Sequence, residues 1–94
     1  MNLNLQGETA IIFGGARGIG LAIAQEFQAE GAGTILVDRS PDTPEVAKTL
    51  SGYGYVLDVT NLDEVAKVVA NLKSSGISIH HLVYAVGIGS GQFG

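Results

Sequence analysis

The sequence holds 94 residues, room for one small domain, and its 46% hydrophobic and 15% charged content excludes a disordered chain. A net charge of −4, with five scattered basic residues, excludes a nucleic-acid partner. The absence of cysteine excludes disulfides and thiolate metal sites, and neither a signal-peptide pattern nor a membrane span of ~20 apolar residues occurs; we expect a soluble, cytoplasmic protein.

The first predicted element is the apolar run Ala10-Ile11-Ile12-Phe13, ended by Gly14-Gly15, as in a strand buried on both faces. Ile19, Ala22, Ile23 and Phe27 then recur at helical spacing, and Gly31 stops that helix. Thr34-Ile35-Leu36-Val37 is a second strand, ending at Asp38. Residues 39–43 form a polar loop, and Thr43 caps a short helix over residues 44–50 with Pro44 in its first position. A third strand over residues 53–57 ends at Asp58. Thr60-Asn61-Leu62-Asp63 resembles a capping box, and Leu62, Val65, Ala66, Val69 and Leu72 form the apolar face of the helix behind it. Residues 79–86 are a fourth strand, followed by a glycine-rich loop.

Strands alternating with helices imply an α/β fold with a parallel sheet. Right-handed crossovers give four strands in the order 3-2-1-4 with helices on both faces, a Rossmann-type half that occupies residues 1–94 as a single dinucleotide-binding domain.

The motif with the most chemistry is Gly14-Gly15-Ala16-Arg17-Gly18-Ile19-Gly20, placed between a strand and a helix. Amides at a helix N-terminus point at an anion and the helix dipole favours negative charge there. Glycines let a pyrophosphate approach the backbone and let the helix pack close to the strand. Asp38, roughly 20 residues further on, stands where a carboxylate meets the adenosine ribose, which favours NAD over NADP.

The spacing Gly14-x-x-x-Gly18-x-Gly20 resembles the short-chain dehydrogenase/reductase family, whose fingerprint is Thr-Gly-x-x-x-Gly-x-Gly, with Phe13 in place of the threonine. The resemblance covers nearly the whole chain. It implies that Asp58 bonds the adenine amino group while Val59 packs on the ring. It also implies that Arg17 and Arg39 are placed to hold a 2′-phosphate, against the preference set by Asp38. The family's Asn-Asn-Ala-Gly at the end of strand four corresponds to Tyr84-Ala85-Val86-Gly87, so Ala85, Val86 and Gly87 contribute main-chain contacts on the nicotinamide side.

The family's chemistry, hydride exchange between a nicotinamide cofactor and an alcohol or ketone, uses a Tyr-x-x-x-Lys pair and a serine. Four residues beyond Tyr53, Tyr55 and Tyr84 stand Leu57, Val59 and Ile88, so no catalytic residue is assigned within this chain. The chain therefore reads as the cofactor portion of such an oxidoreductase, with a catalytically inactive nucleotide-binding or assembly module as the alternative. His80 and His81 alternate across a strand and are not expected to share a metal ion. The apolar fourth strand has an unpaired edge, which predicts a homo-oligomer or burial against the remainder of a longer chain.

Overall fold

A computed structural model describes residues 4–86. Strand β1 (Thr9–Phe13) leads into helix α1 (Gly18–Ala29), then β2 (Gly33–Asp38), α2 (Thr43–Thr49), β3 (Tyr53–Val56), α3 (Leu62–Ser74) and β4 (His81–Tyr84). The strands form one parallel sheet in the order β3-β2-β1-β4. Residues 10–13 of β1 pair with His81 to Tyr84 on one side and with Thr34 to Val37 on the other. This sheet, with helices on both faces, is the α/β half-fold that the alternation of elements predicts.

Alternation along β1 and β2 divides the core in two. Ala10, Ile12 and Leu36 meet Ala24 of α1, Ala47 of α2 and Leu50 at the end of α2 on one face. Ile11, Phe13, Ile35 and Val37 meet Val59 and Leu72 on the other, with Val65, Val68 and Val69 of α3 packed beside them. Apolar side chains on both faces of the central strands are why these strands read as unbroken hydrophobic runs.

Two helix faces differ from the spacing of the large apolar residues. In α1 the residues against the sheet are Gly20, Leu21, Ala24 and Phe27. Ile19 is 42% exposed. With Leu5, Ala22, Ile23, Glu26, Phe27 and Glu30, it lines an open apolar groove on the outer side of the helix. Close approach selects small residues, so Gly20 and Ala24 mark the buried face better than the isoleucines do. In α3 the exposed Leu62 and Ala66 give way to Val68, and the sheet-facing stripe is Val65, Val68, Val69 and Leu72.

Several boundaries also shift by one or two residues. Thr43 is the first residue of α2 rather than its cap, because its hydroxyl and its amide both donate to the Ser40 carbonyl, at 2.6 and 3.1 Å. Asn61, not Thr60, caps α3 by accepting from the Glu64 amide at 3.3 Å, while Thr60 turns back to Asp58. β3 ends at Val56 and β4 covers only His81–Tyr84, with Ile79 and Val86 packed into the core on either side of it. Each helix closes with the 6→1 main-chain bond of a Schellman turn: Ala32 to Phe27, Gly52 to Ala47 and Ile77 to Leu72. Gly31 and Gly76 occupy the left-handed position in two of these turns, but in α2 it falls to Ser51, at φ +55°.

Among the described residues, no helix is long and apolar enough to cross a membrane.

Candidate functional site

The site is built at the C-terminal ends of the parallel strands, where the chain leaves β1 for α1. No side chain caps α1, and its first turn carries no acidic residue. The amides of Gly18, Ile19 and Gly20 thus open the helix without a side-chain acceptor, in the polarity that suits an anion. Gly18 has φ +60°, and a Cβ built on it would meet no heavy atom within 4 Å. The space above the loop is therefore open, and a side chain at Gly18 would project into it. Gly20 differs, since a Cβ there would lie 1.9 Å from the Gly14 carbonyl oxygen. Hydrogen at this position is what lets α1 start directly against the turn after β1. An open space, an uncapped helix end and a close-packed backbone fit a pyrophosphate-sized anion in shape and charge.

Asp38 closes the β2 end of the site and is only 7% exposed. One carboxylate oxygen accepts the Ala16 amide of the glycine loop at 3.1 Å, and the other accepts the Ser40 amide at 3.2 Å. A main-chain bond from Gly14 to the Val37 carbonyl, 2.7 Å, holds the same loop from its other side. An ionised carboxylate has lone pairs beyond two hydrogen bonds, so capacity for ribose hydroxyls is left. Arg17 and Arg39 are both exposed, Arg17 as the N-cap residue of α1 and Arg39 next to Asp38.

Beyond β3, Asp58 is exposed and Val59 is buried. The Thr60 hydroxyl and amide both donate to the same Asp58 oxygen, at 2.6 and 2.9 Å. Thr60's hydroxyl, then its amide, and to a smaller degree the Arg39 charge hold the Asp58 carboxyl below its ordinary range. Beyond β4, the Ala85 amide continues the sheet by donating to the Phe13 carbonyl at 2.8 Å, so only its carbonyl side remains for another partner. Val86 packs into the core beside Phe13. Gly87 lies outside the described residues.

The structure thus brings the glycine loop, Asp38 and the start of the β4 exit together, and sets Arg39 within electrostatic reach of Asp58. Sequence reasoning missed two ties. One is the bond from Asp38 to Ala16, whose donor is main chain and leaves no mark in residue type. The other is Tyr84, whose hydroxyl donates to the Val59 carbonyl at 3.0 Å while its ring meets Phe13 at 6.1 Å between centroids. Phe13 and Tyr84 are register partners, and both stand where the resemblance described above implies other residues. That coincidence of two departures was the available signal. His80 and His81 have separate partners: His80 Nδ1 accepts the Thr9 amide at 3.0 Å, and His81 Nε2 sits 2.6 Å from Glu8 Oε1. Among the described residues, no group of three or more His, Cys, Asp or Glu is placed to hold a metal.

Comparison with known proteins bears on the fold and the family. A family model described as short chain dehydrogenase matches residues 8–94. The oxidoreductase UcpA of Escherichia coli (strain K12) is 37% identical over 89 residues, which are 89% of this chain and 34% of the relative. An NAD-dependent glycerol dehydrogenase of Listeria innocua is 30% identical over 93% of this chain and 35% of its own length. The crystal structure of a 2-keto-3-deoxy-D-gluconate dehydrogenase from Streptococcus agalactiae superposes with a TM-score of 0.78 at 32% identity. It is matched over 93% of this chain and 35% of that one. The chain spans about a third of the length of these relatives.

Proposed function

Because this chain belongs to the short chain dehydrogenase family, we propose that it binds a nicotinamide dinucleotide at the strand ends of the sheet, with NAD preferred over NADP. The observation that carries this reading is the uncapped start of α1 beneath the open space at Gly18, fastened to the carboxylate of Asp38. In this reading the amides of residues 18–20 hold the pyrophosphate. Asp38 accepts from the adenosine ribose hydroxyls and repels a 2′-phosphate. Asp58 and Val59 meet the adenine, and the main chain at Ala85, Val86 and Gly87 borders the nicotinamide ribose. The chemistry such a cofactor supplies is hydride exchange with an alcohol or ketone.

This chain's own residues bind and orient; the proton transfer of that reaction belongs to groups outside it, since no Tyr-x-x-x-Lys occurs in its sequence. The function we assign is therefore the cofactor-binding portion of a cytoplasmic oxidoreductase. Its β4 edge, with Leu82 60% exposed, is covered by a second copy or by further chain.

Calorimetric titration with NAD tests the reading. Gly18→Val places a branched side chain in the open space and in a left-handed conformation, straining the backbone by about 1–2 kcal/mol. We expect the variant to fold and to lose NAD affinity by about a hundredfold or more, because the phosphate is blocked and its amides are displaced. A variant that binds NAD as the parent does would remove the cradle from the interpretation.

A further inference from the structure

Asp38 is positioned for more than cofactor choice. Its carboxylate is almost fully buried, and both oxygens already accept protein amides before any ligand is present. The two donors come from different segments: Ala16 from the turn after β1 and Ser40 from the loop after β2, 22 and 2 residues away in sequence. Ala16 is itself buried. It immediately precedes Arg17 and the three amides that open α1. The other tie on this loop, from Gly14 to Val37, lies before the residues that would meet a phosphate. The carboxylate is thus the last fastening point ahead of the cradle.

We infer that Asp38 is a positioning residue for the glycine loop, holding the phosphate-binding amides in place through Ala16. The inference rests on the dinucleotide reading for its ligand but on the Ala16 bond for its geometry. It separates two roles that a single acidic residue at this place combines. A residue that only reads the ribose, once removed, weakens NAD and strengthens NADP, since Arg17 and Arg39 are then free to meet the 2′-phosphate. A residue that also holds the loop, once removed, weakens both, because the pyrophosphate is common to them. A buried hydrogen bond to a charged acceptor is strong enough for its loss to be visible in affinity. Changing cofactor preference in this chain therefore requires keeping an acceptor for Ala16.

The test compares the parent, Asp38→Ala and Asp38→Asn by amide hydrogen exchange and by titration with NAD and NADP. Asparagine keeps one carbonyl oxygen for Ala16 while removing the charge. We expect the Ala16 amide to exchange about tenfold faster in Asp38→Ala, with Ile11 and Leu36 still protected, and NADP affinity to fall by about tenfold. Asp38→Asn should keep Ala16 protected and should bind NADP no worse than the parent. Unchanged Ala16 protection in Asp38→Ala, or tighter NADP binding by that variant than by the parent, would overturn the inference. Should Asp38→Ala lose protection at Ile11 and Leu36, the asparagine variant decides on the same two readouts. A parent that binds neither cofactor would instead remove the dinucleotide reading, and the exchange comparison alone would then judge the fastening.

Discussion

The inner and outer strands of the sheet are built to different standards. In β1 and β2, residues 10–13 and 34–38 are all buried, and the loops that leave these strands are tied to each other by Gly14, Ala16 and Asp38. In the flanking strands, Tyr53 is 69% exposed and Leu82 60%. The turn beyond β3 closes largely on itself, through Thr60 on Asp58, and is joined to the turn beyond β4 by Tyr84 on Val59. Single main-chain bonds, Leu57 to Asp38 and Ala85 to Phe13, link them to the inner strands. The proposed anion cradle and the acid proposed to read the ribose thus stand on the most buried part of the fold. The proposed adenine and nicotinamide flanks stand on the more exposed part. Placing the charged middle of a dinucleotide on the rigid pair is what preorganisation demands, since the fixed amides then need no rearrangement on binding.

This contrast can be broken from the inner side with the largest effect. Gly20→Ala drives a methyl group against the Gly14 carbonyl, and neither backbone can yield without separating α1 from β1. Thermal unfolding should show a loss of about 2–4 kcal/mol. A near-neutral result would mean that the contact relaxes and that the inner pair is looser than its burial implies.

A smaller effect is expected on the outer side. Leu82 lies on the α3 face of the β4 edge, so Leu82→Lys should change stability by about 0.5 kcal/mol or less in a free chain. It should, however, convert any oligomer to monomer by placing a charge at the edge strand. Light scattering on parent and variant checks both halves. A parent that is already a stable monomer at micromolar concentration would show that the β4 edge needs no cover.

The last change sharpens the comparison at a position distant from the site. Ser51 holds the left-handed place that glycine holds at the ends of α1 and α3. Ser51→Gly should raise stability by about 0.5–1 kcal/mol, read as a modest rise in Tm, with NAD binding untouched. A loss of stability would mean that chain entropy outweighs the relieved conformation.

What was legible in the sequence follows the same division. The unbroken apolar runs of β1 and β2, the glycine spacing and Asp38 were all readable, because each expresses a local demand: burial on two faces, close approach, or a charge at a strand end. Strand order followed from the alternation of elements. The packed face of α1 was not readable from its large side chains, because the tightest contact is made by Gly20 and Ala24, whose signal is what they lack. The ties from Asp38 to Ala16 and from Tyr84 to Val59 were hidden for another reason. Their main-chain partners are identical in every residue type, so only the folded geometry selects them. Thr43 and Thr60 were misplaced by a residue because several hydroxyl and amide side chains there compete for the same turn.

Mapping NAD onto the backbone amides by NMR titration is the most direct test of the proposed dinucleotide site. The expected result is a set of saturating shifts at residues 14–20, 38–39, 58–59 and 85–86, all at the C-terminal strand ends, with Gly31 and Gly76 at the opposite ends unmoved. Saturating shifts confined to the N-terminal strand ends or to the outer groove of α1, or no shift at millimolar NAD, would contradict it.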